Sequence, residues 1–202
     1  MIITKIISVG KNEFCIEFND HPTIYLTENV FVRHNLYKGR EITLEEIKQL
    51  QLESKVQEAI ELSMRKLRNR KTEYEIRILL EDEGYQEVII QNAIDYLYKY
   101  HLLDDLEYAT LYARDKTNLN HYGQKKIAYI LRQKGISNEY IQIALDEIID
   151  RQFEIAWKLY EKRRRRYDLS NYKDRVKLSN YLSQRGFTYD IIKAVVQRGQ
   201  EE

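Results

Sequence analysis

The chain repeats itself every 51 residues. Gly84, Gly135 and Gly186 mark the period, and the same apolar columns surround each. Four residues earlier stand Leu80, Leu131 and Leu182, and eight earlier Ile76, Ile127 and Leu178. Tyr85, Ile136 and Phe187 follow directly. Ile90, Ile141 and Ile192 come six residues after the glycines, and Ala93, Ala144 and Val195 nine after. A fixed period means one supersecondary unit used again, with cores built inside units and where neighbours stack. Such a chain offers a long surface to a partner rather than one pocket.

The columns are spaced for helices. Pro22 is the only proline, so nothing after it forbids long helices. From residue 44 onward the apolar period is helical. Val56, Ile60 and Met64, with Ala59 and Leu67, mark one face of the first repeat's leading helix. Thr43-Leu44-Glu45-Glu46 and Thr72-Glu73-Tyr74-Glu75 read as capping boxes, the second opening a helix through Glu83. Each glycine then ends a helix, because the residue after a helix end commonly needs a positive φ. Ser137 and Thr188 are good N-caps for the helices that follow, and Gln86 is a poor one. Asp104 or Asp105 caps the second repeat. Each unit therefore reads as three helices with a sharp helix–turn–helix at its glycine. The expected divisions are a strand-rich extension with short helices at 1–50 and three-helix repeats at 51–103, 104–152 and 153–202. Ala156 lies 30 residues before its glycine, against 26 for Ala109, so the third repeat should carry a longer helix or a loop.

Residues 1–26 differ. Ile2 to Val9 is rich in β-branched residues, and Gly10-Lys11-Asn12 is a plausible turn. Phe14, Ile16 and Phe18 alternate with Glu13, Cys15 and Glu17, the period of a half-buried strand. Thr23 to Leu26 can form a third strand after the turn at Asn19 to Pro22. Strands so few need a surface to pack on. Thr27 is placed to cap a short helix through Asn35, and Lys38-Gly39 to close that region.

Composition narrows the function. A hydrophobic content of 43% suffices for cores, and 32% charged residues nearly cancel to a net charge of +1. Any nucleic-acid contact must therefore use a local basic face. Cys15 is the only cysteine, which excludes an intramolecular disulfide. No apolar run spans a bilayer and no signal peptide is visible, so a cytoplasmic chain is expected. No catalytic set, metal-ligand set or phosphate-binding glycine loop is apparent, and no cofactor is expected. His21, His34, His101 and His121 are scattered, and solvent exposure is expected for them.

Charge is uneven along the repeats. The middle helix of repeat 1 carries Glu73, Glu75, Glu81, Asp82 and Glu83 against Arg77. Its counterpart in repeat 2 carries Lys125, Lys126, Arg132 and Lys134 and no acid. Lys125, Tyr129 and Arg132 share one face there, suited to phosphate contact and stacking. Arg163, Arg164, Arg165 and Arg166 form the densest basic run, which spreads around a helix and cannot all face one way. Arg68, Arg70, Lys71 and Arg185 are weaker candidates. Most of the 17 tyrosines should bury the ring and wet the hydroxyl, with Tyr122, Tyr129 and Tyr167 as surface candidates.

At these residues the chain resembles the RecX family of bacterial recombination regulators. Leu36-Tyr37-Lys38-Gly39-Arg40-Glu41-Ile42 resembles the segment before the family's repeats. Arg70 to Ile76 resembles its R-x-[ST]-x-x-E-L pattern, and Leu102 to Ala109 its L-[ND]-D-x-x-[FY]-A pattern. Gly123 with Ile127, Leu131 and Lys134-Gly135-Ile136 resembles its G-x3-I-x3-L-x2-K-G-I pattern. Arg185-Gly186-Phe187-Thr188-Tyr189-Asp190 resembles the closing R-G-F-[ST]-x-[DE] motif. The resemblance covers about residues 36–198, and residues 1–26 resemble an extension found in part of the family. It implies a mainly α protein of three tandem three-helix repeats in an elongated, curved array.

It also implies binding to RecA recombinase and to the RecA filament on single-stranded DNA. The family hinders strand exchange, ATP hydrolysis and LexA cleavage, and so acts in recombination, repair and the SOS response. Some members bind DNA directly. The expectation is a non-enzymatic, monomeric RecA modulator. Lys125, Lys126, Tyr129, Arg132 and Arg163 to Arg166 are the contacts inferred from charge. The alternatives are a helix–turn–helix DNA-binding protein and a helical scaffold for another partner.

Overall fold

The computed structural model describes residues 1–201. It is mainly helical with a small N-terminal sheet, and it divides into two compact units. One holds Met1–Lys71 and Ile76–Leu103, the other Thr72–Glu75 and Asp104 onward.

The first unit opens with strands β1 (Ile3–Val9), β2 (Glu13–Phe18) and β3 (Ile24–Thr27), an antiparallel meander in that order. Helix α1 (Glu28–Arg33) and the first turns of α2 (Leu44–Lys66) give the sheet its cover. Ile3, Ile16, Ile24 and Leu26 bury against Val30, Leu36, Ile47 and Leu50. The simple alternation expected for β2 is broken: Cys15 and Ile16 are both buried. Cys15 pairs with Ile7 and Tyr25 on the two flanking strands, and those larger neighbours shield its short side chain.

Helix α2 is 23 residues long and runs unbroken through residue 51, the expected start of the first repeat. No breaker lies between the Thr43 capping box and Leu67. One helix therefore serves two cores, the sheet through Ile47 and Leu50 and repeat 1 through Ala59 and Ile60. Met64 is 46% exposed, against the expectation that it joins the apolar face. Ser63 is buried instead, its hydroxyl donating to the Ala59 carbonyl at 2.8 Å. Thr27 does occupy the N-cap of α1, but its side chain caps nothing, and α1 stops at Arg33 rather than Asn35. Asn35 takes a left-handed φ of 45° just beyond.

Helices α3 (Glu73–Asp82) and α4 (Glu87–Lys99) complete repeat 1. Repeat 2 is α5 (Asp105–Asn120), α6 (Gln124–Gln133) and α7 (Asn138–Asp146). A 3-10 turn at Ile149–Arg151 leads into repeat 3, which is α8 (Gln152–Arg164), α9 (Tyr172–Gln184) and α10 (Tyr189–Glu201). The repeating columns form the three cores. Ile76, Leu80 and Ala93, then Ile127, Leu131 and Ala144, then Leu178, Leu182 and Val195 are all at most 1% exposed. Asp104 is the cap of α5, accepting from the Glu107 N–H at 2.8 Å, and Ser137 caps α7. The extra residues of repeat 3 form the 165–171 loop, which Arg175 ties down by donating to the Leu169 carbonyl at 2.8 Å.

Inside the second unit the glycine turns have a further task. The turn of repeat 2 meets Thr72–Glu75, and the turn of repeat 3 meets the start of α6. The Thr72 hydroxyl donates to the Lys134 carbonyl at 2.8 Å. One period later, Gly123 donates its N–H to the Arg185 carbonyl at 2.8 Å, and Lys125 donates to Gly186 at 2.9 Å. A Cβ on Gly123 would collide with the backbone of Gly186 and Phe187. Gly186 combines a φ of 92° with equally close contact against Lys126. The stacking that the period implied is thus built from one recurring joint.

Candidate functional site

Repeat 2's middle helix presents, along its length, the basic face read from the sequence. Lys125, Tyr129 and Arg132 are all exposed on α6, Tyr129 at 60%. Gln133 donates to the Tyr129 hydroxyl at 2.8 Å, and Arg132 Nε donates to Asn138 at 3.0 Å, so both side chains are held outward. Lys126 lies beside this face rather than on it. It is half-buried, with Nζ 4.2 Å from the centre of the Tyr122 ring. Lys134 turns aside and is half-buried. Its ammonium meets the Glu75 carboxylate at 2.7 Å and sits 5.5 Å from the Tyr108 ring centre. Burial opposes that charge, but the hydrogen bonds to Glu75 and Tyr108 outweigh it and raise the lysine's pKa.

The arginine run divides at the end of α8, with Arg163 and Arg164 in its last turn and Arg165 and Arg166 in the loop beyond. Arg165 and Arg166 are exposed, whereas Arg163 and Arg164 are half-buried. The Arg163 guanidinium lies 4.0 Å from the Tyr181 ring centre, and Arg164 lies 5.9 Å from that of Trp157. Arg163 Nε is buried and finds no hydrogen-bond partner. Arg185, a weaker candidate from sequence, also faces Tyr181 at 5.5 Å and donates to the Asn120 carbonyl at 3.0 Å.

Arg163, Arg166 and Arg185 meet in a cleft of about 360 Å³. Lys162, Arg163, Arg166 and Arg185 line it with Tyr181 and His121, and among the described residues no carboxylate does. Four cations without an acid make a low-barrier seat for an anion, phosphate above all. The sequence alone did not join Arg185 to the arginine run, because 19 to 22 residues and a loop separate them. The period held the clue, since Arg185 sits one period after Lys134, beside the joint. Arg68 and Arg70 are exposed between α2 and α3, and Lys71 is half-buried.

The remaining expectations fare unevenly. Tyr122 and Tyr167 are half-buried rather than surface residues, each covered by a lysine, Lys126 and Lys177. His34 is half-buried and bonded to Glu53 at 2.8 Å, since the Phe31–Asn35 turn folds back on α2. Among the described residues no three His, Cys, Asp or Glu side chains gather as metal ligands, and no helix is long and apolar enough to cross a membrane.

Comparison with known proteins bears on this arrangement. Residues 104–145 match the second three-helix domain of RecX, and residues 150–196 match its third. The regulatory protein RecX of Clostridioides difficile is 32% identical over 98% of this chain and 95% of its own. The chain belongs to the RecX family. The RecX of Clostridium botulinum (strain Alaska E43 / Type E3) is 40% identical, over 64% of this chain and 62% of its own length. A crystal structure of regulatory protein RecX superposes with a TM-score of 0.79 at 25% identity, covering 96% of this chain and 98% of that one. The RecX relatives are named as regulatory proteins, and the basic face and cleft lie in the segment matched to the second and third RecX domains.

Proposed function

We propose that this chain binds RecA and its filament on single-stranded DNA and lowers the filament's recombinase, ATPase and coprotease activities. It would do so by surface recognition, without chemistry of its own. The observation that carries the reading is family membership over nearly the whole chain, among relatives named as regulatory proteins. The charge pattern supports it. Among the described residues, an acid-free face on α6 and an acid-free cleft under α8 and α9 give one compact unit two seats for negative partners. Several weak contacts on one array gain through effective concentration.

The test is to titrate the protein into RecA hydrolysing ATP on single-stranded DNA, following naked-DNA binding at the same salt. Inhibition well below the concentration that coats naked DNA supports filament recognition. Inhibition only where DNA is coated supports a second reading, direct DNA binding, which the cleft's four cations favour.

A further inference from the structure

Repeat 3 keeps open a groove that its two predecessors bridge. In each repeat the glycine turn joins the middle helix to the third. In repeat 1, Arg77 of α3 crosses to α4, donating to Glu87 at 3.0 Å and to Gln91 at 2.5 Å. In repeat 2, Arg132 of α6 crosses to Asn138 at the start of α7. The 51-residue period sets Ser179 at the place of Arg77 and Ser183 at that of Arg132. Asn180 stands where repeat 2 has Tyr129. None of these short side chains spans the gap.

A cavity of about 690 Å³ opens there. Phe187, Ile192 and Val196 give it an apolar floor, and Tyr189, 71% exposed, stands at its mouth. Among the described residues, Lys125 of α6 and Lys193 of α10 are its only charged lining residues. We infer that this groove is the docking site for an acidic amphipathic segment of a protein partner. Apolar side chains enter over Phe187, Ile192 and Val196, while carboxylates pair with Lys125 and Lys193. The charge argument is specific, because two cations with no acid in the lining reject a basic segment and steer an acidic one. The apolar floor suits side chains of a helix laid in a groove, and it offers a phosphate backbone nothing. Lys125 also belongs to the exposed α6 face, so the groove continues that surface. The inference deepens the filament reading and rests on it only for which protein supplies the segment.

The experiment uses the full chain with isotope-labelled methyl groups. The probe is a synthetic helical peptide of about 20 residues with leucines on one face and glutamates on the other, beside its scrambled and lysine-substituted versions. Shifts confined to Ile192, Val196 and their neighbours with the acidic peptide alone are expected. Asn180→Tyr with Ser183→Arg, which restores the residues of repeat 2, should abolish them. Lys125→Glu with Lys193→Glu should weaken binding about tenfold without lowering the Tm. Absence of groove shifts with the acidic peptide, or equal shifts with the lysine peptide, overturns the inference whatever RecA does. RecA filaments on single-stranded DNA form the second arm. Loss of filament affinity in both double variants supports the groove as the RecA seat. Peptide binding by a wild-type chain that ignores filaments leaves the groove standing and overturns the filament reading. Full filament affinity in the filled variant overturns the assignment of the groove to RecA.

Discussion

Gly123 donates its backbone N–H to the carbonyl of Arg185 at 2.8 Å, and no side chain fits between them. One period earlier Thr72 meets the matching carbonyl, that of Lys134, with its hydroxyl at the same distance. One contact made with backbone and the other with a side chain explains why one position tolerates only glycine while its equivalent does not.

Gly123→Ala should therefore cost about 2–4 kcal/mol, the range for forcing backbone apart in a packed joint. Gly84→Ala has open space around its Cβ and meets only the positive-φ penalty, about 1–2 kcal/mol. Urea denaturation of the two variants checks the ranking, and a larger loss at Gly84 would refute the joint.

Thr27 and Ser54 make opposite predictions. Ser54 accepts the Thr27 N–H at 2.8 Å inside the first unit, so Ser54→Ala should cost about 1 kcal/mol or more. The Thr27 hydroxyl is buried without a partner, so Thr27→Val should be neutral or stabilising by up to about 1 kcal/mol. Thermal denaturation of both variants measures the difference.

Asp105 should make stability depend on pH. Its carboxylate is buried and accepts the Glu73 N–H at 2.9 Å. Burial, larger than the effect of that bond, raises its pKa above the ordinary aspartate value of about 3.9. The folded state then holds the proton more tightly than the unfolded chain. The resulting contribution is complete below the ordinary value and is lost as pH rises through the folded pKa. Asp105→Asn keeps an acceptor for Glu73 and should raise the Tm at pH 7 more than at pH 4. An equal effect at both pH values would contradict the burial argument.

The cleft should reveal itself in salt dependence. Should Lys162 and Arg166 meet phosphate, replacing each with alanine should reduce the slope of log affinity against log salt by about one, for filament or single-stranded DNA alike. Unchanged slopes would remove the cleft from the contact surface. Arg163→Ala should also lower stability, because its guanidinium packs on Tyr181.

The sequence by itself determined the three cores. Ile76, Leu80 and their counterparts recur with the helical period, and a residue's burial inside its own three-helix unit follows from local spacing. The glycine turns and the caps at Thr43 and Ser137 were legible for the same reason, and that of α5 to within Asp104 or Asp105, since each needs residues within four positions. Tertiary structure decided what depends on residues brought from afar. It made α2 one helix between two cores, buried Cys15 beside Ile7 and Tyr25, and left Thr27 without a capping bond. It paired Lys134 with Glu75 and gathered Arg163, Arg166 and Arg185 around one cleft. Charge and composition along the chain carry the sign of a surface, but only packing across 20 to 60 residues fixes which charges are paired inside and which remain for a partner.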